Sequence, residues 1–168
     1  ADKNGRITAV QFYLAYQAGA FPGSPVAAGV QNGLGSYKIE NFQVDGYDIV
    51  TNTQKMQSYR APGQPPATFA VEGVIDELAE KLGIDPLEFR LRNAVREGDR
   101  MPSGVQYPRI ACEELEEAMK AHPHYSAPLD GPNRGRGVSV AARAIGGEGA
   151  TPHVATINVN TNGTITLV

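Results

Sequence analysis

A single cysteine, Cys112, is all the thiol this 168-residue chain contains. One cysteine closes no intrachain disulfide and builds no iron–sulfur cluster, so a disulfide-stapled secreted domain gets no support. Its place just ahead of an acidic helix suits a small buried apolar residue. Histidine is scarce too, with three copies. His122-Pro123-His124 sets two of them close together, but with no cysteine or carboxylate nearby in sequence the motif reads as a surface turn, and no metal ligand is expected from side chains. No apolar run approaches the roughly 20 residues that span a bilayer. Basic charge is outweighed, with 15 Lys and Arg against 18 Asp and Glu, a net charge of -3 and a pI near 5.6. That balance argues against nucleic acid or an acidic membrane as the main partner, since both need a basic face. No repeat or low-complexity tract is present. No signal peptide is visible, and a cytoplasmic location is expected.

What is present is an ordinary globular composition, 41% hydrophobic and 20% charged. A chain of this size buries roughly 70% of its unfolded surface, enough for a real core. Asn4-Gly5 reads as a hairpin turn, and Arg6 to Tyr16 alternates as a strand. Gly19 to Gly35 is rich in Gly, Ala and Pro, a loop or short irregular helix. Tyr37 to Thr53 reads as two short strands joined by a type I′ turn at Asp45-Gly46. Val71, Val74, Ile75, Leu78, Ala79 and Leu82 share one face of a helix predicted over Ala67–Leu82. Pro65 and Pro66 sit at its start and Gly83 just past its end. Asp85 caps a second helix, predicted over Pro86–Val95, with Pro86 at its first position and Glu88 at capping-box spacing. Leu87, Leu91, Ala94 and Val95 form its buried stripe. Glu113–Ala121 reads as a short third helix with Leu115 and Met119 on one face. Two further strand runs follow, Gly135–Gly146 and His153–Asn160. The second forms a hairpin with Thr164–Val168 across Thr161-Asn162-Gly163. The fold class is α+β: antiparallel strands at both chain ends, packed on a central pair of helices plus a short third one. The chain opens in mid-pattern and closes on a strand-like run, as a piece of a longer protein would.

The candidate site is Arg60. It stands in a loop rich in Pro and Gly just before a helix N-terminus, a setting that suits an anionic or oxo-bearing group. Taken alone, a surface arginine pairing with a carboxylate explains it as well. Two other motifs invite a functional reading. Glu148 within Gly146-Gly147-Glu148-Gly149 has the form of a general base on a glycine loop, but a solvated turn accounts for it. The two-helix unit carrying Arg90, Arg92 and Arg96 has the outline of a helix-turn-helix, but Glu88 and Glu97 dilute its charge, and ordinary helix pairing accounts for it.

The residues around Arg60 change the balance. Thr51-Asn52-Thr53, Tyr59-Arg60-Ala61-Pro62-Gly63, Phe69-Ala70, Glu72, Asp76-Glu77-Leu78-Ala79, Leu82-Gly83-Ile84-Asp85-Pro86, Arg90, Arg92-Asn93 and Gly98-Asp99 follow one another in an order and spacing that resemble the molybdenum hydroxylases. This is the family of xanthine dehydrogenase and aldehyde oxidase. Asn4-Gly5-Arg6-Ile7 upstream, and Gly135-Arg136-Gly137-Val138 and Asn162-Gly163-Thr164 downstream, extend the likeness over nearly the whole chain. The resemblance implies that residues 1–168 are a partial molybdenum-cofactor-binding domain of the large subunit. Residues 1–130 would form a first subdomain and 131–168 the start of the next.

The resemblance also implies that Arg60, Ala61 and Gly63 face the molybdopterin-type cofactor, with Arg60 stabilising charge during turnover. Pro62 would line the substrate pocket. Purine-oxidising members carry a phenylalanine at the place of Pro62, so an aldehyde or N-heterocycle fits this chain better. In the intact enzyme a carbon centre would be hydroxylated with oxygen from water. Electrons would leave through iron–sulfur clusters and FAD on other domains or subunits, so the expected partners are those units and the remainder of the molybdenum subunit. The isolated fragment is expected to be inactive. A non-catalytic scaffold domain sharing this fold is the alternative.

Overall fold

The computed structural model describes residues 1–56, 59–142 and 155–167. The first strand, β1 (Val10–Gly19), alternates in burial. Leu14 and Ala18 turn inward, while Gln11, Tyr13, Ala15 and Gln17 face out. Helix α1 (Val26–Asn32) then crosses over to β2 (Phe42–Val50), which lies parallel to β1 with Val10 opposite Phe42 and Tyr16 opposite Asp48. Two parallel neighbours need a crossover of a dozen or more residues, and the segment containing α1 supplies it.

The expected hairpin at Asp45-Gly46 is therefore corrected. β2 runs straight through it, with Asp45 opposite Tyr13 and Gly46 opposite Leu14. The reason is packing: a β-carbon on Gly46 would lie 2.6 Å from Val30 Cγ2 and 3.1 Å from Val26 Cγ2. The glycine lets the helix settle on the strand, and the same residue pair that signals a turn in isolation serves close approach here.

Helix α2 (Gln64–Leu82) starts three residues earlier than the pattern predicts. Gly63, at φ 81, ends the loop before it, and the prolines occupy its first turn. Gly83, at φ 64, closes it by donating its N–H to the carbonyls of Ala79 and Glu80. The buried face is Ala67, Val71, Glu72, Ile75 and Ala79, and Val74, expected inside, is 56% exposed. Helix α3 (Pro86–Asn93) begins where predicted. The Asp85 carboxylate accepts from the backbone N–H groups of Leu87 and Glu88, each at 3.0 Å. Glu88 does not complete the reciprocal box, because its carboxylate pairs with Lys120 and Arg92 instead. The helix ends at Asn93, since Ala94 turns extended and bridges to Tyr37.

Helix α4 (Cys112–Ala121) buries Cys112 and Glu116, whereas Leu115 is 59% exposed, so the predicted Leu115–Met119 face is not the inner one. A one-turn helix, α5 (Pro123–Ser126), follows, capped by His122 Nδ1 accepting from the N–H of His124. Residues 135–142 form no strand. The predicted run from Gly135 continues into 143–146, and the start of the next run at His153 and Val154 also lies outside the described residues. Strands β3 (Ile157–Val159) and β4 (Ile165–Leu167) form the expected antiparallel hairpin, exposed throughout. The α+β content stands, but at the N-terminal end the strands are parallel.

The main core gathers Ile7, Leu34, Tyr37, Val71, Ile75, Ala79 and Phe89. A second cluster holds Ala94, Val95, Met101, Tyr107, Cys112 and Val140. Asn93 pins the N-terminus to this body. Its side chain accepts from Ile7 N–H at 2.8 Å and donates to the carbonyls of Gly5 and Phe89, both at 2.8 Å. Among the described residues no helix is long and apolar enough to cross a membrane.

Candidate cofactor-facing loop

Arg60 to Gly63 makes a tight bend into α2. Ala61 adopts φ 55, a left-handed conformation that costs an L-residue roughly 1–2 kcal/mol. Gly63 follows at φ 81, and a β-carbon there would stand 2.0 Å from the Pro25 carbonyl oxygen. Such strain persists only where the surroundings over-determine it. Here they do: the Tyr16 hydroxyl on β1 donates to the Gly63 carbonyl at 2.5 Å, and the Gln64 N–H donates to the Ala61 carbonyl at 3.3 Å. Arg60 is exposed, and no ion pair or hydrogen bond to another described residue holds its guanidinium. Ala61 and Pro62 are half-buried and Gly63 is buried.

An open cleft of about 500 Å³ lies beside this bend, lined by Ala61, Gln64, Pro65, Thr68, Phe69, Glu72, Ser139 and Ala141. Its far wall, residues 139–142, is tied to α2 from both sides. The Gln64 side-chain amide donates to the Ala142 carbonyl, and Val140 N–H donates to Glu72 Oε2 at 2.9 Å.

Below the cleft lies a buried charge network. Arg90, fully buried, donates to Glu72 Oε2 through Nε at 3.0 Å and Nη2 at 2.9 Å, to Asp76 Oδ1 at 2.8 Å, and to the Pro86 carbonyl at 3.0 Å. Tyr37 donates its hydroxyl to the other oxygen of Glu72. Burial, then the neighbouring Glu72 charge, drives the Tyr37 phenol far above its ordinary range, so it stays a donor. Glu116 lies in the same interior and accepts from Cys112 Sγ at 3.5 Å, while its Oε2 has no partner among the described residues. Burial pushes Glu116 up to about 7, and burial with Glu116 beside it pushes the Cys112 thiol up to about 12. Cys112 is thus a protonated interior thiol and no nucleophile.

The helix-turn-helix outline fails on these contacts. Arg90 is an interior cation, and Arg96 and Arg92 pair with Glu113 and Glu88 on the groove between α3 and α4. Glu148 lies outside the described residues. Tyr16 and Gln64 carried no signal in the sequence alone. Glu72 did: a carboxylate between Val71 and Ile75 falls on an apolar stripe, which asks for a buried cation.

Residues 1–94 match the molybdopterin cofactor-binding domain family. The chain belongs to this family. An aldehyde oxidoreductase of Megalodesulfovibrio gigas is 33% identical over 139 residues, 78% of this chain and 15% of that protein. A putative xanthine dehydrogenase molybdenum-binding subunit of Escherichia coli K12 is 52% identical over 70 residues, 42% of this chain and 9% of that one. The solved aldehyde oxidoreductase of Desulfovibrio desulfuricans superposes on 74% of this chain and 14% of its own, with a TM-score of 0.64 and 33% identity. This molybdopterin-binding chain therefore spans a small part of the length of its relatives. Its residues suit such a group, because the anchored backbone bend at Ala61 borders an open cleft and the exposed Arg60 stands one residue before it.

Proposed function

We propose that this chain is part of the molybdenum subunit of an oxidoreductase that hydroxylates an aldehyde or N-heterocycle carbon with oxygen taken from water. The observation that supports it is the strained, anchored Arg60–Gly63 bend beside the cleft, inside the segment that matches the cofactor-binding family. The cofactor, when bound, supplies the redox chemistry. Arg60 offers a planar fork of N–H donors and a charge that does not titrate at neutral pH, so it acts by position and charge. Ala61 and Gly63 would bring backbone close to the group, and Pro62 stiffens the bend and would line the substrate pocket of the intact enzyme. Iron–sulfur and FAD units on other domains or subunits would carry the electrons away. Residues 1–130 and 131–168 would belong to successive subdomains, the whole would work in the cytoplasm, and the chain alone would be inactive.

The test is Arg60→Lys in the complete enzyme. Lysine keeps the charge and loses the fork, so turnover per bound molybdenum should fall on the order of a hundredfold, as when one preorganised donor is removed. Wild-type turnover per metal would show that Arg60 does no more than decorate the surface.

A further inference from the structure

We infer that Tyr16 is a positioning residue: its hydroxyl holds the strained Arg60–Gly63 bend in the one geometry that aims Arg60 and the Ala61 backbone at their target. This rests on the reading of Arg60 just given. Two observations converge on the hydroxyl, and a third fixes the bend from its other side. It donates to the Gly63 carbonyl at 2.5 Å from a different element, β1. Gly29 of α1 leaves room for that contact, since a β-carbon there would sit 2.9 Å from the Tyr16 oxygen and 3.0 Å from the Gly63 carbonyl oxygen. The Gly63 α-carbon is itself wedged against the Pro25 carbonyl. The bend is thus fixed by β1 on one side and by the start of α1 on the other.

The contact also bears on the start of α2. Gly63 has no side chain to cap it, Pro65 and Pro66 bring no N–H, and the Gln64 N–H goes to the Ala61 carbonyl. The Tyr16 hydroxyl holds the Gly63 carbonyl at that start. Burial raises the Tyr16 phenol, with the Ala67 N–H opposing, so the hydroxyl keeps its proton as the contact requires. Ala61, two residues upstream of Gly63, sits at φ 55 against its own preference. Without the hydroxyl the bend loses its hydrogen bond to β1, and the strain at Ala61 favours relaxation.

Tyr16→Phe deletes that one oxygen and keeps the ring. It should be made in the complete enzyme and compared with wild type and with Arg60→Lys. Hydrogen exchange over residues 60–70 of the metal-free protein should accelerate about fivefold or more, the scale of one lost hydrogen bond, while exchange in α3 is unchanged. In the loaded enzyme kcat per bound molybdenum should fall about fivefold or more, with molybdenum content and melting temperature close to wild type. A purely structural role would lower metal content or melting temperature and leave turnover per metal intact, and that result overturns the inference. Wild-type exchange in Tyr16→Phe also overturns it, as does faster exchange with unchanged turnover per metal, because the geometry of the bend would then not matter. If Arg60→Lys itself turns over like wild type, the assignment of Arg60 is what fails.

Discussion

Ala61 and Gly63 both have positive φ, yet they should respond to substitution in opposite ways. At Gly63 the missing β-carbon is required twice, by φ 81 and by the Pro25 carbonyl 2.0 Å from where it would lie. Gly63→Ala should therefore cost more than about 2 kcal/mol, the left-handed penalty plus a clash with backbone that has no rotamer to move. At Ala61 the β-carbon already exists under strain. Ala61→Gly should be close to neutral, because relief of roughly 1 kcal/mol offsets the added freedom of the unfolded chain. Thermal unfolding of the two variants side by side checks the pair. Equal losses would mean that the bend adapts freely, contrary to its anchoring by Tyr16.

The α2–α3 turn is the element the pattern described best, because its signals are local. Gly83 and Asp85 act on their own backbone neighbours, and no distant residue is needed to read them. Tertiary structure adds one contact, since the Tyr125 hydroxyl donates to both Asp85 oxygens, at 2.7 and 2.8 Å. Burial raises the Asp85 carboxyl, but Tyr125 and the amides of Glu88 and Leu87 outweigh it and hold it below its ordinary value. Asp85→Ala should cost about 1–2 kcal/mol, at the upper end for a helix cap, because a hydroxyl is orphaned along with two amides. Tyr125→Phe in the same background should then cost almost nothing further. A full additional loss in the double variant would show that the two groups act independently.

At the scale of the molecule, and among the described residues, two buried carboxylates, Glu72 and Glu116, share an interior with one buried cation, Arg90. Glu72 takes the cation, the Tyr37 hydroxyl and the Val140 amide. Glu116 is left with a thiol and an oxygen that has no partner among the described residues, and burial raises it from 4.5 to about 7. A raised carboxyl means that the folded chain binds a proton the unfolded chain has already lost. Stability from this group is complete below about 4.5 and is lost as pH climbs to about 7. Glu116→Gln should therefore be more stable than wild type at pH 8, with the advantage fading toward pH 5. Urea midpoints at the two pH values measure it, and an advantage independent of pH would place the effect in packing instead of ionisation.

Local chemistry determined much of this protein from sequence alone: the caps and prolines of α2 and α3, the turn at Gly163, the burial of Cys112, and the string around Arg60 that resembles its family. Each of these depends on neighbours a few residues away or on an order of residues that needs no coordinates. Tertiary structure decided the rest. Asp45-Gly46 carries the same turn signal in either setting, and only α1 lying on the strand shows that Gly46 is there for close approach. Leu115 and Val74 fit helical stripes, yet the inner faces go to Glu116 and Glu72; Glu72 is there to meet the interior Arg90, and a local apolar count cannot see across the core. Tyr16 reaches the Arg60 bend across a separation of 47 positions between it and Gly63. No periodicity records such a contact, because it exists only once β1, α1 and α2 have packed together.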